Sequence, residues 1–495
     1  MRCYPPAPMS VRAMPRPALV VLAVGICVVG MLAAVNPLAG LGLAVAGLAV
    51  VILRTTELPR LGRVAVGAAA VTAILGPNLA LPQAPSLFAF RVVIVLLGLG
   101  VVAYLLMDGR LVIPRGLPRA AGLLIGLTAW SILSIFWSAD TTAALRWTLF
   151  LVMMAGLAIG IPLAFRRRRA AVRLLIALGV TFTVATALAL AEVRFGVRLP
   201  TSALAGSTRD AAFATSLFGN QNNFATYLSL TLPYFLCLPI VFRDARLIAL
   251  GAVGGAVTLA ALLFTGSRSN LIATFLVLGC LVLVLATDRR RRGRAVGGIT
   301  VAVLAVLLVA PSLGGGGLIP LPERIVTKFD ISILSQQQKA GLGSGAVRAS
   351  VLDEGLALVA DSGGLGVGAG NAETRVRSLA NFTGVENLHN WWLEVLVNLG
   401  VVGFALYLGF YLTLLRGQLR AARRTDDAFV RWLGLAGGLS LVGFVVGSLG
   451  PASVIHFAPM WITFGLGMLT LVMARAADTP VASSAGDTQL VEHTQ

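Results

Sequence analysis

A helix crosses the hydrocarbon core of a bilayer with roughly 20 apolar residues, and no other feature of this chain limits its fold as strongly as its repeated runs of that length. They fall near 18–35, 37–53, 64–82, 91–107, 121–138, 141–165, 174–193, 222–242, 247–265, 268–286, 295–314, 389–415, 432–450 and 458–474. Backbone polar groups in lipid have to be satisfied within their own segment, so runs of this length are read as helices. Hydrophobic residues make up 57% of the chain and charged ones 12%, against about 45–50% and about 25% in an ordinary soluble domain, which excludes a soluble globular enzyme. The pattern predicts an all-α integral membrane protein, a polytopic bundle of about 12–14 transmembrane helices.

Orientation follows from the arginines, because basic segments stay cytoplasmic during insertion. Arg166, Arg167, Arg168 and Arg169, then Arg289, Arg290, Arg291 and Arg292, then Arg416, Arg420, Arg423 and Arg424 mark three inner loops. With both termini inside, the remaining segments alternate without contradiction. The expected organisation is a cytoplasmic N-terminus (1–17), N-terminal transmembrane helices (18–193), central ones (194–315), an extracytoplasmic loop (316–388), C-terminal transmembrane helices (389–474) and a disordered cytoplasmic tail (475–495). The first apolar run lacks a clear small-residue cleavage site and reads as a retained helix. The expected location is the inner (cytoplasmic) membrane, with multiple passes.

The 39 basic and 20 acidic residues give a net charge of +19. This is read as a topology signal, with membrane lipids and not nucleic acid as the partner. Cys3 is placed in the cytoplasm and Cys27, Cys237 and Cys280 within spans, so neither a disulfide nor a cysteine metal site is expected.

Chemistry is expected on the long loop and the span ends around it. Between Ser344 and Ala360, Val347, Val351, Leu352, Leu356 and Val359 follow helical spacing, predicting an amphipathic helix on the membrane surface with Arg348 near its start and its stop at Ser362-Gly363-Gly364. The following Gly364-Leu365-Gly366-Val367-Gly368-Ala369-Gly370-Asn371 is a flexible, close-packing loop; with no strand before it and no helix clearly after it, it does not fit a dinucleotide site. His389 opens a span in His389-Asn390-Trp391-Trp392-Leu393-Glu394. It reads either as an interface residue among tryptophans or as a catalytic group. Glu394, more than one turn into the span, points to a polar pocket beside that helix. Thr265-Gly266-Ser267-Arg268-Ser269-Asn270 joins two spans, and Arg268 reads equally as a lipid contact or as a binder of substrate phosphate. Gly219-Asn220-Gln221-Asn222-Asn223 enters a span; its asparagines, Asn220 and Asn223 among them, are helix caps or partners for a polyhydroxylated ligand. Arg146 is a further binding candidate, or a structural partner of Asp140. His456 reads as a loop histidine.

Taken in order, the Gly219 to Asn223 entry, the Thr265-Gly266-Ser267-Arg268 turn, the loop helix with Arg348 leading into the glycine loop, and the His389 to Glu394 motif resemble the O-antigen ligase and polymerase family of bacterial membrane glycosyltransferases. The similarity is strongest from Gly219 to about Leu415. The chain departs from the family pattern at Ala369 and Gln221, where family members often have proline. The resemblance implies a GT-C-like helix bundle and transfer of a glycan from an undecaprenyl-diphosphate carrier to a hydroxyl acceptor, either another glycan or a lipid, on the extracytoplasmic face. On that basis His389 takes the acceptor proton, Arg268 and Arg348 stabilise the departing diphosphate, and Arg146, Asn220, Asn223, Asn390 and Glu394 bind substrate. No cofactor and no metal site is expected, since the outer clusters show no Asp-x-Asp pattern. A polysaccharide polymerase is the first expectation and an O-antigen ligase, acting on a lipid A core or another envelope acceptor, the second. A polysaccharide flippase or secondary transporter is the rival from another class, though its midplane charges and repeated broken helices are not seen.

Overall fold

The computed structural model describes residues 58–81, 84–106, 117–206, 213–287, 344–379, 388–451 and 455–477. The expected spans at 18–35, 37–53 and 295–314 lie outside these residues. The helices, in chain order, are α1 (Leu58–Leu75), α2 (Ala89–Leu106), α3 (Pro118–Leu133), α4 (Thr141–Phe165), α5 (Arg168–Phe195), α6 (Gln221–Leu236), α7 (Leu238–Val241), α8 (Ala245–Leu263), α9 (Arg268–Thr287), α10 (Ser344–Asp361), α11 (Ala372–Leu379), α12 (Trp391–Arg424), α13 (Ala428–Gly447) and α14 (Ala458–Ala477). A two-stranded antiparallel hairpin, Ala80–Leu81 with Ala84–Phe88, precedes α2. Among the described residues nine helices are long and apolar enough to cross a membrane, and two shorter apolar stretches lie in α2 and α9. Each expected span within the described residues coincides with one of these. The protein is a polytopic, nearly all-helical membrane protein.

Contacts divide the chain into two units, Met1–Ala65 with Val93–Leu111 and Val66–Val92 with Val112–Gln495. The described part of the first is the start of α1 and most of α2. Everything below concerns the second.

Helix starts follow from capping. The first N–H groups of a helix lack intrahelical acceptors, and five helices open on an Asp or Asn whose side chain supplies one: Asp140 for α4, Asn220 for α6, Asp244 for α8, Asn390 for α12 and Asp427 for α13. Close packing, not transfer out of water, drives helix association in lipid, which favours small residues at contacts. Gln418 of α12 is fully buried where α12, α13 and α14 meet. A Cβ on Gly437 would lie 1.7 Å from its Oε1, and one on Gly467 2.8 Å from its Nε2, so the two glycines leave the room that the Gln418 amide occupies. α6, α13 and α14 are mostly buried, whereas α3, α5 and α8 expose most of their length.

One end of this unit gathers the starts of α4, α6, α9, α12 and α14 with the ends of α3, α5, α8 and α13. Hydrogen bonds link them: Ala214 N to Phe264 O at 2.9 Å, Trp391 N to Ser448 O at 3.3 Å and Asp140 N to Asn371 Oδ1 at 2.7 Å. Near the other, arginine-rich end Arg168 pairs with Asp427 at 3.5 Å and lies over the Phe429 ring at 5.2 Å.

The amphipathic helix is present as α10 and ends before Ser362, as its spacing predicts. Its apolar residues divide between two faces. Val351 is buried and Gly355 lies against Leu393, while Leu352 and Leu356 are exposed. Val351, Ala372, Val376, Leu388, Leu393 and Val397 form one apolar cluster that seats α10 and α11 on the start of α12. α11 is a helix that the sequence reading did not expect after the glycine loop. Its opening N–H, on Ala372, donates to Asn398 Oδ1 at 3.0 Å, a partner 26 residues away.

The glycine loop is fixed by backbone. α12 breaks at Gly400, with φ 65° and ψ −167°. The loop occupies the break: Val401 N donates to Gly364 O at 2.9 Å and Val367 N to Val397 O at 2.8 Å. Trp130 Nε1 takes up the Leu399 carbonyl at 2.8 Å. A Cβ on Gly366 would stand 2.5 Å from Gly400 N, which is why both positions are glycine.

Candidate active site

His389 stands between the buried Leu388 and Asn390, the N-cap of α12, and its backbone is left-handed, with φ 48°. Only glycine adopts that conformation freely; other residues held in it concentrate at functional sites. The imidazole faces the carbonyls of Gly450 and Pro451, which favour its protonated form, while burial and then the charge of Arg348 oppose it, leaving its pKa below the ordinary histidine value. Nδ1 is buried and has no hydrogen-bond partner among the described residues.

Arg348 lies in the second turn of α10 and is half-buried. Burial, followed by the charge of Arg268, lowers its pKa. Arg268 is the first residue of α9, also half-buried. The fold therefore brings Arg348 within electrostatic reach of both His389 and Arg268, from three separate elements. The apolar cluster achieves this for the first two, since Val351 follows Arg348 by one turn and Leu388 adjoins His389.

Glu394 is buried within the first turn of α12 and receives Trp147 Nε1 from α4 at 3.4 Å. Asn390 caps α12, accepting from Trp392 N at 3.1 Å and Leu393 N at 3.3 Å. Asn220 caps α6, accepting from Asn222 N at 2.7 Å, and Asn223 is half-buried one turn on. Arg146 is exposed, beside the Trp147 that reaches Glu394. Asp140 is used differently from the pairing considered for it: it caps α4, accepting from Ala143 N at 3.0 Å. His456 lies in a turn, edge-on to the Phe150 ring at 4.0 Å.

Residues 253–408 match the family described as O-antigen ligase. Over this segment the chain is O-antigen ligase-like. The O-antigen ligase-like segment runs from within α8 to the middle of α12 and contains Arg268, Arg348, the glycine loop, His389 and Glu394. TuaE, a teichuronic acid biosynthesis protein of Bacillus subtilis (strain 168), is 26% identical to the chain over 276 residues, covering 54% of each. The chain thus spans about half the length of this curated relative. Asn220, Asn223 and Arg146 lie before the O-antigen ligase-like segment.

Sequence reading passed over several residues that build the site. Glu192 of α5 is fully buried and accepts from Thr215 N at 2.7 Å, Thr215 Oγ1 at 3.0 Å and Ser216 N at 2.8 Å, fixing the loop ahead of Asn220. A carboxylate inside an apolar run was the available signal. Asn371 and Asn398 anchor the glycine loop, through Asp140 and through the opening N–H of α11. Asn371 followed by Glu373 was a helix-start signal for α11.

Proposed function

We propose that this chain is a membrane glycosyltransferase of cell-envelope polysaccharide synthesis, moving a glycan from an undecaprenyl-diphosphate carrier to a hydroxyl acceptor at the extracytoplasmic face. The observation that carries the reading is His389: a histidine held in a left-handed backbone, its Nδ1 buried and without a hydrogen-bond partner among the described residues, beside Arg348 and through it Arg268, all within the O-antigen ligase-like segment.

The chemistry follows from these groups. The neutral imidazole of His389 takes the acceptor hydroxyl proton as the hydroxyl oxygen attacks the anomeric carbon; the bond from that carbon to the carrier phosphate breaks, and its electron pair leaves on the diphosphate. An anion that meets two positive charges is held more tightly than by either alone. Arg348 and Arg268 supply those charges, and their planar donor forks suit phosphate oxygens. Glu394 and Trp147 lie within a bundle wall that binds the sugar.

A polymerase, adding the glycan to another carrier-linked glycan, is the reading adopted, because the relative's name places it in teichuronic acid biosynthesis. The ligase reading draws on the family description. Purified protein given an undecaprenyl-diphosphate-linked glycan in vesicles separates chain growth, transfer to an added acceptor, and movement without transfer. In the same assay His389→Gln is expected to lower turnover by about 10² to 10⁴, the usual range for general acid-base catalysis, with donor binding retained. Wild-type turnover in well-folded His389→Gln protein refutes the base.

A further inference from the structure

Asn270 is fully buried in the first turn of α9, two residues after Arg268, and the proposed reaction does not use it. Its Nδ2 donates to Thr226 Oγ1 at 3.1 Å and to Ser267 Oγ at 3.0 Å, and its Oδ1 accepts from Ser229 Oγ at 2.9 Å. Both amide hydrogens and a lone pair are thus engaged. Two of the partners are on α6 and the third is in the turn before α9.

The end of α13 closes over the same amide. A Cβ on Gly447 would lie 3.0 Å from Asn270 Oδ1; one on Gly450 would lie 3.0 Å from its Nδ2 and 2.9 Å from Ser269 Oγ. Thr226 Oγ1, which accepts from Asn270, also faces the Gly447 carbonyl at 3.4 Å. The turn after α13 is therefore moulded on this one side chain. That turn is also what His389 meets: the carbonyls of Gly450 and Pro451 face the imidazole, Ser448 O accepts from Trp391 N at 3.3 Å, and Val445 O from Trp392 Nε1 at 3.1 Å.

We infer that Asn270 is a positioning residue, setting Arg268 and His389 at their working separation by joining the start of α9 to α6 and to the turn that holds the imidazole. The inference rests on the reading of His389 as the base. It is not a matter of holding the bundle together, because other bonds do that: Ser440 Oγ of α13 donates to Leu230 O of α6 at 2.7 Å, and Tyr411 of α12 donates its hydroxyl to the Leu441 carbonyl of α13. Loss of Asn270 leaves those in place. The two α6 hydroxyls it abandons keep acceptors on their own helix, Thr226 at Asn222 O and Ser229 at Thr226 O, while Ser267 Oγ loses its donor.

The test is Asn270→Ala in the full chain, with Ser229→Ala as a smaller lesion to the same network that decides the matter where Asn270→Ala does not fold. Three quantities are read: turnover and KM for an undecaprenyl-diphosphate-linked glycan, and the titration midpoint of His389 from carbon-13-labelled imidazole resonances, assigned by their loss in His389→Gln. The groups acting on this imidazole are Arg348 from α10, itself under the charge of Arg268 from α9, and the two carbonyls after α13. The carbonyls favour the protonated ring, so releasing their turn moves the midpoint to lower pH. Turnover is expected to fall by about 10²-fold in Asn270→Ala, as for a small misplacement of a catalytic group, with KM changed far less, and by a smaller factor in Ser229→Ala. Wild-type turnover in the folded variant overturns the inference, as does an unmoved midpoint. Failure of the underlying reading is separable: His389→Gln at wild-type turnover removes the base, whatever the midpoint does in the Asn270 and Ser229 variants.

Discussion

His389 and Ser216 are the non-glycine residues with left-handed backbone among those described, and only one of them is explained by its neighbours. Ser216 is pinned by Glu192 at its N–H and by its own hydroxyl on the Ala185 carbonyl at 2.6 Å. His389 carries a conformation that costs a side-chain-bearing residue about 1–2 kcal/mol, and its buried Nδ1 has no hydrogen-bond partner among the described residues. Its lowered pKa has a definite pH consequence. Activity that needs the neutral ring persists below the ordinary histidine range and is lost as pH falls through the lowered value. Arg348→Gln removes a positive charge that disfavours the imidazolium, so the acid limb of its residual kcat–pH profile is expected at higher pH than in the parent protein; a limb that stays put would disconnect the two groups. At this scale the sequence singled out candidate residues and was silent about their conformation. His389, Arg268 and Arg348 stood out because they lie in short motifs on the outer side, away from the arginine runs of the inner loops, whereas the left-handed φ, the hub at Asn270 and the triple acceptance by Glu192 depend on residues far apart in the chain.

Span-length apolar runs located every described membrane helix, because length and apolarity suffice when the bilayer sets the rule. The break in α12 was not legible: Gly400 is one glycine among 55, and what makes it a break is the loop lodged against it. α11 is marked locally only by Asn371 and Glu373, and its first N–H is capped by Asn398 of α12, 26 residues on, because the Asn371 side chain is engaged with Asp140 and Ala369. The element-scale prediction compares two glycines of one loop. Gly366→Ala forces a Cβ to 2.5 Å from Gly400 N at φ 78°, so overpacking and backbone strain add, and it should destabilise by about 2–4 kcal/mol. Gly363→Ala, at φ 61° with nothing within 4 Å, meets only the backbone term of about 1–2 kcal/mol. Thermal unfolding in detergent ranks the two; equal shifts would mean that the loop does not press on α12.

For the molecule as a whole, the arrangement of arginine-rich loops against the His389 end predicts a sidedness that single cysteines can read. In a chain without native cysteines, Asp361→Cys beside the glycine loop and Asp426→Cys between α12 and α13 are both exposed, and impermeant reagents should label them from opposite faces of the membrane. Labelling of both from one face would overturn the orientation, and with it an extracytoplasmic active site. The lodged glycine loop also orders events in time. Residues 362–371 leave the ribosome before α12, yet Val367 N and Gly364 O find their partners at Val397 and Val401, inside a helix not yet made. The loop therefore waits, undocked, until α12 has entered the bilayer and broken at Gly400. The site cannot form before that docking, and a nascent chain stopped short of Val401 has only its earlier membrane helices, without its active site.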